Sequence, residues 1–225
     1  MHVGLIVGIG PAATDFYYRS LITALAARGI DLELTMAHAD APTLLRNQAA
    51  GNADAQVAIY RRLTGRLQAA GASAVAVTSI AGHFCIDAFK AVSPLPVIDR
   101  LVEVDRGVER EGLQRVGIIG MRVAMETRLY GAVRHAEVIA PPAELLLRVH
   151  DAYTAMAITG AVTEVQRELF FSAGRVLVED LGAAAVLLGG TDLGLAFAGR
   201  DPGFRIFDCA AVHAAAIAEA AAGRA

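Results

Sequence analysis

The chain has only two cysteines in 225 residues, Cys85 and Cys209, too few for a disulfide framework. That count makes a reducing, cytoplasmic setting the expectation. It has no CxxC, HExxH or Walker pattern, so the common zinc, thiol-redox and nucleotide signatures are missing, and no metal site is expected. No apolar run reaches the roughly 18 residues that would span a bilayer. Met1-His2-Val3-Gly4 puts no basic segment ahead of the first apolar run, and that run breaks at Gly8 and Gly10, which argues against a signal peptide. A marked excess of one charge is missing as well. The formal net charge is −3 with acids and bases interspersed, so neither nucleic acid nor a membrane surface is an expected partner.

What remains is an apolar, alanine-rich globular chain, 55% hydrophobic and 19% charged. Short apolar runs alternate with helical spacing throughout. Val3–Gly8 reads as a buried strand and Ala12–Arg28 as a helix with Phe16, Leu21, Ile22 and Leu25 on one face. Asp31–Met36 reads as a second strand, residues 37–52 as a loop with a short helix, Ala53–Ala70 as a helix and Ala72–Thr78 as a third strand. A helix at His83–Ala91 and a short strand at Pro96–Asp99 follow. The pattern then restarts. A helix at about 101–111 leads to strands at Val116–Gly120 and Val138–Ala140, helices at about 142–157 and 162–181, and strands at Ala184–Leu188 and Arg205–Asp208. A closing helix covers Ala210–Ala222. Buried strands alternating with helices imply parallel sheets covered on both faces. The expected fold class is therefore α/β, with two pseudo-symmetric lobes, each a mostly parallel sheet flanked by helices: 1–98 plus 208–225 in one, 99–207 in the other.

Two glycine-punctuated segments occupy equivalent places in the two halves: Val77-Thr78-Ser79-Ile80-Ala81-Gly82-His83 and Leu188-Gly189-Gly190-Thr191-Asp192-Leu193. With Gly4-Leu5-Ile6-Val7-Gly8-Ile9-Gly10-Pro11-Ala12-Ala13-Thr14 and Arg205-Ile206-Phe207-Asp208, they resemble the motifs of the aspartate/glutamate racemase family, the cofactor-independent amino-acid racemases. The resemblance covers nearly the whole chain. It implies no cofactor, a small carboxylate or amino acid as substrate, and a homodimer. Family members use two thiols, one per lobe, to move a proton off one face of the substrate Cα and onto the other. Cysteine suits this because a site can lower its pKa from about 8.5.

The positions matching those cysteines carry Ser79 and Gly190. Serine needs an adjacent base to act, and glycine offers no side chain. The family's Asn-Thr after the first cysteine becomes Ile80-Ala81. Arg46 is an approximate stand-in for an arginine that aspartate-specific relatives place after the second strand. A lysine of some relatives near Gly160 has no counterpart, since Ile158 and Thr159 stand there. On the resemblance, Ser79, Gly190, His83 and Asp192 mark the catalytic positions. Gly10, Pro11, Thr14, Arg46, Thr78, Ile80, Ala81 and Thr191 mark the substrate-binding ones.

Each residue also has a structural reading. The Gly8–Pro11 segment is either a substrate loop or a tight strand-to-helix turn; glycine is missing where Ala13 stands, so it is no dinucleotide fingerprint. Thr78 and Ser79 either bind an anion, with Ser79 activated by His83 four residues on, or cap the next helix. His83 is either a group titrating near neutrality or a helix residue bonded to backbone. Asp192 is either a general base raised by burial or an orienter of its loop. Asp15 reads as a helix-start carboxylate and Cys85 as a small core residue. Tyr17 and Tyr18 stay unassigned. The expected function is an Asp/Glu racemase-like isomerase with a noncysteine site. A decarboxylase or lyase of the same fold, and a noncatalytic carboxylate-binding protein, are the alternatives.

Overall fold

The computed structural model describes residues 1–8 and 10–223, apart from the side chain of Pro11. The chain divides into two compact units, Met1–Arg100 with Ala211–Ala225, and Leu101–Ala210.

The first unit is built on β1 (Val3–Val7), α1 (Pro11–Ala26), β2 (Leu34–His38), α2 (Ala41–Ala49), α3 (Ala53–Ala69), β3 (Ala74–Val77) and α4 (Ile86–Val92). Its sheet is parallel, in the order β2-β1-β3, with Val3 paired to Leu34 on one side and to Ala74 on the other. All residues of β1 and β3 are buried, which is why both read as unbroken apolar runs rather than alternating ones. β2 lies at the sheet edge and is only partly buried, so its pattern is weak, and it begins three residues later than the sequence suggests. The expected strand at Pro96–Asp99 shrinks to a single bridge between Val75 and Val97. Pro94 and Pro96 lack the N–H groups a longer ladder needs.

The second unit holds α5 (Arg100–Arg110), β4 (Arg115–Gly120), α6 (Arg122–Glu126), β5 (Glu137–Ile139), α7 (Ala143–Thr159), α8 (Glu164–Arg175), β6 (Ala185–Gly189), α9 (Gly194–Phe197) and β7 (Ile206–Asp208). Its parallel sheet runs β5-β4-β6-β7. Thr163 starts α8 with a capping box closed by Gln166. After α6, Arg128, Leu129 and Tyr130 all take left-handed backbone at φ 52, 58 and 59°, each at a cost of about 1–2 kcal/mol. Leu129 is fully buried there, which offsets part of that cost. No sequence signal announces this turn.

The last helix, α10 (Cys209–Ala221), packs on the first sheet. Ala214, Ile217, Ala218 and Ala221 recur at helical spacing and meet Val3, Leu5 and Val7 of β1 and Tyr17, Leu21 and Leu25 of α1. The same chemistry explains why alanine dominates this helix: a small side chain lets it lie close on the strands. Among the described residues, no helix is long and apolar enough to cross a membrane.

Ile217 is fully buried and Ile22 is 41% exposed. Ile217→Ala is expected to lower unfolding free energy by about 2–5 kcal/mol, and Ile22→Ala by less than about 0.5 kcal/mol. Urea denaturation of the two variants checks the contrast.

Candidate functional site

In open parallel sheets, ligands sit at the carboxyl ends of the strands where the strand order changes direction. In the first unit that point lies at β1 and β3, because the chain goes from β1 to one side and returns on the other. The Gly8–Thr14 and Thr78–Cys85 segments leave these strand ends. In the second unit the corresponding strands are β4 and β6, and the Gly189–Leu193 segment leaves β6.

Ile80–Cys85 forms a turn of 3₁₀ helix ahead of α4, where the sequence suggested an α-helix from His83. The segment is buried, so its backbone carbonyls need internal partners. Side chains supply them. His83 Nδ1 lies 2.7 Å from the carbonyl oxygen of Ser79, Gln48 of α2 donates to that of Ala81 at 2.8 Å, and Tyr60 of α3 donates to that of Gly82 at 3.4 Å. Gly82 is required here, since a Cβ would run into the Tyr60 hydroxyl. Thr78 is pinned as well: its hydroxyl donates to the carbonyl of Ile6 in β1 at 3.2 Å. Ser79 is 8% exposed, and its hydroxyl does not cap the turn. Ile80 and Ala81 are buried apolar residues.

The bond from His83 runs to the Ser79 backbone, not to the hydroxyl, so the expected Ser79–His83 side-chain pair is not formed here. Its chemistry is informative. A carbonyl only accepts, so Nδ1 carries the hydrogen. Burial pushes the pKa of His83 down to about 4; Arg100 and Lys90 push the same way, while Asp99 and the bond to Ser79 oppose them. The ring is therefore neutral near pH 7, and its Nε2 is a bare lone pair. That atom is buried and has no hydrogen-bond partner among the described residues. His213 of α10 follows the same logic. Its Nε2 donates to the carbonyl of Ile98 at 2.9 Å, so its Nδ1 accepts from the Tyr17 hydroxyl at 2.8 Å. The ring stands 6.4 Å from that of His83, and burial holds its pKa well below the usual value. Arg100 is fully buried. Lys90 reaches the buried Asp99 at 2.8 Å, which raises the lysine pKa.

The other first-unit candidates are less committed. Gly10 precedes α1, and the hydroxyl of Thr14 turns back to the carbonyl of Gly10 at 3.2 Å. Pro11 is the first residue of α1, and its side chain lies outside the described residues. An open cavity of about 460 Å³ touches Val7, Thr14, Asp15, Tyr18, Met36 and His38. Arg46 is exposed on α2 and donates to the Thr43 hydroxyl at 2.9 Å. Asp15 is exposed and gripped by Arg19 at 2.8 Å. Burial pushes the Cys85 thiol up to about 11, so it stays protonated at neutral pH.

In the second unit, Thr191, Asp192 and Leu193 are buried in a turn after Gly190. Gly190 has extended backbone at φ −153°, which any residue adopts. Space is the constraint. A Cβ there would stand 2.6 Å from Cζ and 2.8 Å from the hydroxyl oxygen of Tyr153. Tyr153 is a buried residue of α7, and its hydroxyl donates to Asp192 Oδ2 at 3.0 Å. The phenol thus fills the space beside Gly190. Next to it, Gly120 of β4 takes φ +153° against Gly189, where a Cβ would come within 2.7 Å of backbone. Among the described residues, no three His, Cys, Asp or Glu side chains cluster as metal ligands would.

A family model described as Asp/Glu/hydantoin racemase matches residues 6–217. The chain belongs to the Asp/Glu/hydantoin racemase family. Its fold is also that of an Asp/Glu racemase candidate from Yersinia pestis, at 24% identity and a TM-score of 0.87, covering 99% of this chain and 100% of that one. An aspartate racemase homologue from Pyrococcus horikoshii aligns at 21% identity and a TM-score of 0.83, over 98% and 99% of the two chains. A glutamate racemase from Francisella tularensis, in complex with D-glutamate, aligns at 15% identity and a TM-score of 0.67, over 96% of this chain and 79% of that one. The two motif loops of this chain carry hydroxyl, imidazole and carboxylate groups: Thr78, Ser79 and His83 in one, Thr191 and Asp192 in the other. Gln48, Tyr60, His213 and Tyr153 escaped the sequence reading. They sit on helices far along the chain from the motifs, and no local spacing marks them.

The buried histidines make stability depend on pH. Between about 6.5 and 4 the unfolded chain protonates His83 and the folded chain does not. The histidine's contribution is therefore complete above pH 6.5 and shrinks as pH falls through that window. The loss reaches about 3 kcal/mol for a group displaced this far, and His213 acts in the same direction. Denaturation at pH 7.5 and 5.0 should show the drop. His83→Asn should lessen it, and an unchanged pH dependence in that variant would remove His83 as the cause.

Proposed function

We propose that this chain is a racemase-like isomerase that moves the α-hydrogen of a small amino acid or carboxylate without a cofactor and without cysteine. In this reading His83 takes the proton in the first unit with the Ser79 hydroxyl as a donor beside it, and the Asp192 carboxylate holds it in the second. Thr78, Ile80, Ala81 and Thr191 shape the motif loops, and Gly10, Pro11, Thr14 and Arg46 serve the substrate.

The observation that carries the reading is the state of His83. Its Nδ1–H is committed to the Ser79 carbonyl, and its Nε2 is a buried acceptor with no partner among the described residues. A lone pair held dry is costly to leave unused. A base with a pKa near 4 is weak, but a substrate carboxylate brought beside it raises that value by charge alone. The Ser79 hydroxyl, not used as a helix cap, supplies a hydrogen-bond donor at the same loop. Membership of the racemase family supports the reaction class. The two buried free cysteines fit a reducing cytoplasm. Tyr18, Ile22 and Met36 of the first unit are each exposed, and a homodimer would offer such side chains cover.

One observation favours a second reading. Residue 190 has no side chain and is crowded by a phenol, which suits a noncatalytic carboxylate-binding protein. Proton NMR in deuterium oxide separates the two, using chelator-dialysed protein and a panel of L- and D-amino acids and small dicarboxylates. The isomerase reading predicts loss of the α-hydrogen signal of at least one compound, slowed about 100-fold or more by His83→Asn. Every signal retained, with a carboxylate raising the melting temperature, would establish binding without chemistry.

A further inference from the structure

We propose that Tyr153 is the proton-transfer group of the second unit, with Asp192 as the proton store behind it. This rests on the isomerase reading and completes it. Gly190 alone offers nothing to transfer a proton, and Asp192 lies beyond it, buried. The phenol oxygen of Tyr153 stands 2.8 Å from the point a Cβ at residue 190 would occupy. A short side chain growing from that Cβ would place its reactive atom in the same small volume. The tyrosine reaches it from α7, thirty-seven residues earlier in the chain, and delivers a hydroxyl where the backbone at 190 delivers none. Glycine at 190 is then no mark of a decayed site. It is the condition for Tyr153 to be there.

The hydrogen bond fixes the direction of the chemistry. Tyr153 donates to Asp192 Oδ2 at 3.0 Å, so the phenol's own proton already points at a carboxylate. When the α-hydrogen is removed, the lone pair of the phenol oxygen forms a new O–H bond to it. The old O–H bond breaks, and its proton passes to Asp192. The C–H electron pair stays on the substrate, delocalised into its carboxylate or carbonyl group. The sum is one proton moved from carbon to Asp192, which becomes neutral as the substrate gains a negative charge. The reverse sequence delivers a proton from Asp192 through the phenol to carbon. A phenol alone is a poor base near neutrality, with a pKa of about 10. The carboxylate removes that obstacle, because no free phenolate forms along the path.

The substrate this fits is a small carboxylate with an acidified α-hydrogen. The test follows racemisation in deuterium oxide, with incorporation of deuterium at the α-carbon, using D- and L-aspartate and D- and L-glutamate as probes. Wild type is compared with Tyr153→Phe and Asp192→Asn. Tyr153→Phe keeps the ring beside Gly190 and loses only the oxygen. Asp192→Asn keeps an acceptor and loses the proton store. Racemisation is expected to fall about 100-fold or more in both. Racemisation at the wild-type rate in Tyr153→Phe would overturn the proposal and leave the isomerase reading standing. Wild type inert toward every probe would overturn both. Should Tyr153→Phe not fold, 3-fluorotyrosine in place of Tyr153 gives the second measurement. The more acidic phenol should move the pH–rate profile, and an unmoved profile would contradict the role.

Discussion

A buried loop at the end of a buried strand must find partners for its backbone inside the protein. That constraint shapes everything at the carboxyl ends of these sheets. β1 and β3 are covered on both faces, so the turn that follows β3 is buried with them. Water does not reach its carbonyl groups, and leaving one unpaired costs about 1–3 kcal/mol. Three side chains from three places meet the need: His83 for Ser79, Gln48 for Ala81, and Tyr60 for Gly82. The glycine at 82 follows from the third of these, since Tyr60 occupies the space a side chain would take.

Satisfying the backbone also decides where protons sit. Because carbonyls accept only, His83 and His213 each commit one N–H to the main chain and keep a lone pair on the other nitrogen. Burial keeps both rings neutral. His213 spends its lone pair on Tyr17, within a packed core. For His83 the bond that stabilises the loop leaves a basic atom over. One edge of the imidazole is committed to the backbone, and the other keeps its lone pair. The second unit reaches a comparable result by another route, with a phenol and a carboxylate joined beside a glycine.

The alternation of buried runs and helical stripes made the parallel α/β architecture legible, and the spacing of Ala214, Ile217, Ala218 and Ala221 is that of a core-facing stripe. The motif loops were legible by position. Their partners were not. Tyr153 looks like one more apolar position on α7, and only the close approach of α7 to the end of β6 gives its hydroxyl a role. Gly190, read along the chain, is an empty place; in three dimensions it is a filled one. The strand expected at Pro96–Asp99 failed for a local reason, the missing donors of Pro94 and Pro96, while the start of β2 failed because an edge strand is only half buried and carries a weak pattern.

The central claim is that residue 190 and Tyr153 compete for one space, and a double-mutant cycle on stability tests it most directly. Gly190→Cys should destabilise the protein by about 1–3 kcal/mol through overpacking, and Tyr153→Ala by about 3–5 kcal/mol through the cavity it leaves. Together they should cost less than the sum by at least about 1 kcal/mol, because the new side chain enters the space the ring has left. Strict additivity in chemical denaturation would mean the two residues do not share that space, and the account of the second motif would fall.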